Sequence, residues 1–260
     1  MNLSEVINQQ WLDPNPLKDI YATAAPFPHI VMENFIKEDL LDEVAHEFPD
    51  LAQAKGGVKQ FDNAKEIKLA SKGMQVLSPS ALHLNSYLQS DLFLEWLNTL
   101  TGIQEPLISD PYLAGGGYHE IKSGGLLKIH ADFNKHPRLN LDRRLNLLLY
   151  LNKDWDEEWG GALQLFDESM ERPIQIIPPR FNTTVIFSTT SYTFHGHPDP
   201  LKCPENRSRR SLAYYYFSTG RPNNEVSSER HSTLFKERKG ESFSTKLSLK
   251  QVVRKIRLRL

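Results

Sequence analysis

The run Gly124-Gly-Leu-Leu-Lys-Ile-His-Ala-Asp132 sets the reading of the whole chain. Its glycines are a turn signal, and Leu126–His130 behind them is a short, largely apolar, β-like run. Runs of the same kind follow at Leu145–Leu151, Ala162–Phe166, Ile174–Ile177, Thr183–Phe187 and Ser211–Phe217. Gly115–Gly117, Gly160–Gly161 and Pro178–Pro179 punctuate them. Short strands at this spacing predict an antiparallel sandwich or jelly roll.

Upstream the texture is different. Lys37–Phe48 places Leu40, Leu41, Val44 and Phe48 on one helical face, and Pro49 stops it. Ser78–Leu100 reads as helical too, with Leu82, Leu84, Leu88, Leu92, Phe93, Trp96, Leu97 and Leu100 as its apolar residues. His29–Met32 is a short β-like run. The expectation is an α+β chain in three parts: residues 1–110, mainly helical and packed on the outside; residues 111–220, the jelly-roll core; and residues 221–260, polar at first and then a basic helix.

The bulk properties exclude more than they identify. With 260 residues, 39% hydrophobic, 24% charged and a net charge of -1, the chain suits one substantial core. Near-neutrality gives no reason to expect nucleic acid or a membrane as partner. The basic end, from Lys236 to Arg259, reads as a solvated face. Cys203 is the only cysteine, so neither an internal disulfide nor a Cys-rich zinc site is available. No secretory signal is visible at the N-terminus, and the apolar runs fall far short of the roughly 20 residues that span a bilayer. A cytoplasmic, reducing setting is the expectation.

In a strand, residues i and i+2 share a face, so His130 and Asp132 can converge on one ion. A third ligand must come from elsewhere; His195 follows just past the strand Thr183–Phe187, with His197 as a rival. Two histidines and one carboxylate on one side of a metal leave the opposite positions open, as in the facial triad of non-haem Fe(II) oxygenases. Ser208–Ser218 (SRRSLAYYYFS) then reads as a strand with Arg209, Ser211, Ala213 and Tyr215 on one face and Arg210, Leu212, Tyr214 and Tyr216 on the other. The first face sets a cation beside small residues. A dicarboxylate fits there, because Arg pairs bidentately with a carboxylate and Ser211 adds a hydroxyl donor. Arg207 has the same parity and remains a second candidate. Two other readings stay open on the residues alone: a non-catalytic cupin-like metal-binding protein, and a metal-dependent hydrolase.

With His130, Asp132, His195 and Arg209 in hand, the chain resembles the 2-oxoglutarate/Fe(II) dioxygenase superfamily, and within it the prolyl-4-hydroxylase-like group. Tyr150–Trp155 followed by Gly160–Leu163, Phe187–His195 and Arg209–Phe217 look like that group's motifs, over about residues 110–220. The resemblance implies a double-stranded β-helix core, with His130, Asp132 and His195 binding Fe(II) and serving as the catalytic centre. It implies Arg209 and Tyr150 at the distal carboxylate of 2-oxoglutarate, with Asn146 also near the co-substrate. It further implies O2 as co-substrate, succinate and CO2 as products, ascorbate as an accessory reductant, and a prolyl residue of a protein or peptide as the leading substrate class. Glu120 stands where the group has another co-substrate tyrosine, a departure from the pattern. His119, His136 and Lys128 lie near the motifs without an assigned task, and Trp155 and Trp159 read as packing residues.

Overall fold

Runs rich in β-branched, leucine and aromatic residues gain most where both faces of a sheet are covered, and that is how this chain uses them. The computed structural model describes residues 2–243. Its strands are β1 (His29–Glu33), β2 (Val58–Asp62), β3 (Glu66–Ser71), β4 (Gly117–Lys122), β5 (Leu126–Ala131), β6 (Asp142–Tyr150), β7 (Leu163–Phe166), β8 (Gln175–Ile177), β9 (Thr183–Ser188), β10 (Phe194–His197), β11 (Ser208–Ser218) and β12 (Leu234–Phe235). They form one antiparallel sheet in the order β1-β9-β6-β11-β4-β3-β5-β10-β7-β8, with β2 beside β3 and β12 beside β5. The sheet curls until its two halves meet: Tyr150, Val185 and Phe187 from one half pack with Leu163, Leu165 and Ile177 from the other. The result is a nearly closed barrel of the double-stranded β-helix kind.

Alternation decides what lies inside. Leu145, Leu147 and Leu149 of β6 and Leu212, Tyr214 and Tyr216 of β11 face outward into the main apolar cluster. There they meet Leu84, Leu88, Phe93 and Leu97 from the helices α3 (Pro79–Leu88) and α4 (Asp91–Thr101), alongside residues of α1 (Lys18–Thr23) and α2 (Glu38–His46). The opposite parity, Arg209, Ser211, Ala213 and Tyr215, faces the barrel interior, as the alternation predicts. The helical stretch expected over Ser78–Leu100 is two helices. Ser90 breaks it by capping α4, its Oγ accepting from the Phe93 N–H, as Ser78 does for Ala81. Leu82 and Leu92 are exposed rather than packed.

Residues 1–110 supply strands as well as helices. β1 extends the sheet beyond β9, and β3 is inserted between β4 and β5. After β11 the described chain runs as a strap along β5: Leu234 and Phe235 pair with Ala131 and His130, and the Lys236 N–H donates to the Ile129 carbonyl. The strap's cations meet acceptors of this chain: Arg238 pairs with Asp199 and Glu241, and Lys239 with Glu171. The basic helix expected at the end of the chain lies outside the described residues. Among the described residues no helix is long and apolar enough to cross a membrane.

Candidate active site

β5 and β10 lie antiparallel with His130 and His195 directly opposite, their ring centroids 4.5 Å apart. The backbones approach closely because Gly196 separates the two histidines of β10. A Cβ there would sit 2.7 Å from the Leu127 carbonyl oxygen and 2.9 Å from that of Lys128. Each imidazole is oriented by a backbone carbonyl at its Nδ1, Lys128 at 2.8 Å for His130 and Thr193 at 3.2 Å for His195. That contact fixes the tautomer that leaves Nε2 free as a ligand. The two Nε2 atoms approach the carboxylate of Asp132, at 3.6 Å from Oδ1 and 3.4 Å from Oδ2. Donor atoms of all three residues lie within 4.8 Å of one another, and each residue is buried or nearly so. Burial pushes His195 down to about 4 against the opposing pull of Asp132, so its ring is neutral near pH 7 and able to ligate.

Asp132 is held from behind. Arg143, 1% exposed, approaches its Oδ2 at 3.1 Å, and the Asn146 amide donates to the same oxygen at 2.7 Å. Arg143 in turn donates through Nε and Nη2 to the Asn146 Oδ1, at 3.0 and 2.6 Å, and its guanidinium lies 3.5 Å from the Tyr215 ring centroid. Burial opposes ionisation of Asp132, yet Arg143 first, then His195 and His130, hold its carboxyl well below the usual range. Arg143 and its tie to Asn146 escaped the sequence reading. A bulge between Tyr216 and Phe217 of β11 shifts the register opposite Arg143, which simple alternation does not anticipate.

A second pole lies across the barrel. Arg209 is 5% exposed and has only neutral partners: its Nε donates to the Gly161 carbonyl at 2.7 Å and its Nη2 to the Tyr150 hydroxyl at 3.1 Å. Gly161 is needed here, because a Cβ on it would come within 3.0 Å of the Arg209 Cδ, and its φ of +79° is itself a glycine conformation. A buried guanidinium with neutral partners leaves its charge to be matched by an anion. Ser211 lies on the same inner face, opposite both Tyr150 and His119.

The remaining candidates separate cleanly. Arg207 points outward, donating to the carbonyls of Lys153 and Asp154, so of the two arginines it is Arg209 that faces the interior. Glu120 pairs in register with Arg210 on the outer face and accepts from Ser208, whereas its neighbour His119 faces inward. Asn146 reaches the site, but its amide engages Asp132 and Arg143. Lys128 pairs with Glu241 of the strap. His136 is tied to Asp110 and to the backbone N–H groups of Arg138 and Leu139. Trp155 and Trp159 pack edge to face against each other. Lys68, from the unforeseen strand β3, brings a further ammonium to the interior; burial lowers its pKa while Glu66 and Asp132 oppose that.

Residues 116–217 match the family model described as the 2OG-Fe(II) oxygenase superfamily. Mouse prolyl 3-hydroxylase OGFOD1 is 27% identical over 200 residues, covering 74% of this chain and 33% of that protein, so the chain spans about a third of the relative's length. Among solved structures, a Pseudomonas putida prolyl-4-hydroxylase has a TM-score of 0.58 at 16% identity, covering 80% of this chain and all of that one. A Trichoplax adhaerens prolyl hydroxylase in complex with a hypoxia inducible factor peptide fragment also scores 0.58, at 17% identity over 81% of this chain and 91% of that one. These two likenesses establish the fold. The cofactors of the family, Fe(II) and 2-oxoglutarate, fit the residues present: two oriented imidazoles and a carboxylate suit Fe(II), and the uncompensated Arg209 suits the far end of a diacid. Residues 116–217 thus match the 2-oxoglutarate/Fe(II) oxygenase superfamily, and over a wider span the chain is similar to prolyl hydroxylases.

Proposed function

We propose that this protein is a hydroxylase that binds Fe(II) through His130, Asp132 and His195 and holds 2-oxoglutarate by its distal carboxylate at Arg209, acting on a prolyl residue of a protein or peptide. The observation that carries this reading is the pairing of two unlike poles in one interior: a convergent His, Asp, His set and a buried guanidinium without an anionic partner. A hydrolytic or storage metal site has no use for the second pole. When bound, iron and 2-oxoglutarate supply the O2-dependent chemistry that hydroxylates a C–H bond and releases succinate and CO2.

The chain's own residues do the positioning. Thr193 and Lys128 aim the two Nε2 atoms, Arg143 and Asn146 keep Asp132 ionised and oriented, and Tyr150 steadies Arg209. Preorganisation of this kind removes orientational entropy from the reaction. The prolyl assignment rests on the names of the relatives, and a peptide-bound neighbour makes a protein substrate the first to test. We place the enzyme in the cytoplasm, where the lone buried thiol of Cys203 stays reduced. Incubating the purified protein with a cell extract, Fe(II), 2-oxoglutarate and ascorbate, followed by peptide mass spectrometry, is the test. A +16 Da increment on proline that disappears without 2-oxoglutarate is the expected result. Succinate formation with no oxidised product in any extract would contradict the prolyl assignment.

A further inference from the structure

His197 is 3% exposed, and neither of its ring nitrogens has a hydrogen-bond partner. Every other histidine around the site is tied: His130 to Lys128, His195 to Thr193, His119 to Gly115 and His136 to Asp110. Nor does His197 belong to the convergent donor set, which comprises His130, Asp132 and His195. Leaving a buried polar group unmet is costly, so an imidazole with two bare nitrogens points to a partner that enters from outside the fold. β10 runs antiparallel to β7 with Gly196 opposite Gln164, which carries His197 toward the Gly161 end of β7, where the Gly161 carbonyl holds Arg209; Arg209 is also the charge that acts on it most strongly, ahead of Lys68 and His130. His197 therefore stands between the cation of the diacid pole and the metal-binding histidines.

We propose that His197 is a co-substrate-positioning residue, its ring N–H donating to the carboxylate of 2-oxoglutarate that pairs with Arg209. This rests on the assignment of Arg209 as the diacid anchor. Arg209 reaches that carboxylate from β11 and His197 from β10, in the opposite half of the sheet. Two donors from opposed walls fix where the far carboxylate sits, so His197 bears on co-substrate choice. In sequence the residue looked like a competitor for the metal. Its bare nitrogens beside Arg209 give it a different task.

The test is calorimetric binding of 2-oxoglutarate to the anaerobic protein loaded with redox-inert Mn(II), comparing wild type with His197→Leu, His197→Gln and Arg209→Leu. His197→Leu should weaken 2-oxoglutarate binding about tenfold, equivalent to about 1.4 kcal/mol, while Mn(II) affinity is unchanged. His197→Gln, which keeps an amide donor, should recover most of the loss. Leucine also removes two unmet polar atoms, so the thermal midpoint of the metal-free protein should hold or rise; a marked fall would show that His197 is structural and overturn the proposal. If Arg209→Leu abolishes binding and His197→Leu does not weaken it, the role of His197 is refuted and the anchor stands. If neither change weakens binding, the diacid pole itself has been misassigned.

Discussion

Asp132 receives more support than either histidine of the proposed metal centre. Arg143 and Asn146 both reach its Oδ2, and each is bonded to the other. Groups that orient a ligand from behind change metal affinity about 10–100-fold when removed. Asn146→Ala should therefore weaken Mn(II) binding within that range while leaving 2-oxoglutarate affinity of the metal-saturated protein largely intact, measured by equilibrium titration. Arg209→Leu should do the reverse, raising the KM for 2-oxoglutarate with metal affinity retained. Arg207→Ala, at a side chain that donates to the Lys153 and Asp154 carbonyls and lies over the Trp159 ring on the outside, should change neither. At this scale the convergence of His130, Asp132 and His195 and the shared inner face of Arg209 and Ser211 were legible in the sequence, because strand parity is a local property. Arg143, Lys68 and His197 were not: the first sits opposite a bulge, the second on a strand with weak alternation, and the third is defined by what it lacks.

The element on which the site depends most is β10. Phe194-His-Gly-His197 is too short and too polar to look like a strand, and it exists because β5 and β7 flank it on both sides. Gly196→Ala would drive a methyl group into the Leu127 and Lys128 carbonyls. The backbone must move, and overpacking of this kind costs about 1–3 kcal/mol. The expected outcome is a lower thermal midpoint together with loss of metal binding, since His195 moves with the strand. By contrast, Leu147→Ala, on the outer face of β6, should destabilise the fold by about 2–5 kcal/mol yet leave the metal affinity of the folded fraction unchanged. The long apolar strands β6, β9 and β11 were readable from their composition. β2, β3, β4 and β12 were not, because their pairing is set by partners distant along the chain rather than by any alternation of their own.

At the scale of the whole molecule, the barrel interior gathers buried cations and neutral imidazoles around a single ligand carboxylate, and that arrangement makes stability depend on pH. His195 is pushed down to about 4 and His197 well below its ordinary value, in both cases by burial first. Their folded-state pKa values are depressed, so between pH 6.5 and about 4 the unfolded chain binds more protons than the folded one. Stability of the metal-free protein is thus fully present above the unfolded-state value. It falls on acidification below it, by about 1.4 kcal/mol per pH unit for each such histidine. Thermal melts of the metal-free protein from pH 7.5 to 4.5 should show a steadily falling midpoint, and a flat profile would mean these rings are solvated. The sheet's two halves were foreseen as a jelly roll, whereas the strap along β5 was not, since nothing in a polar segment announces which edge it will cover. The central claim is that one interior brings an iron centre and a diacid anchor together. Its most direct measurement is the visible spectrum of the anaerobic protein with Fe(II) and 2-oxoglutarate. A weak metal-to-ligand charge-transfer band that is lost in both Asp132→Ala and His195→Ala is the predicted result; an unchanged band in either variant, or no band in the wild-type protein, would contradict it.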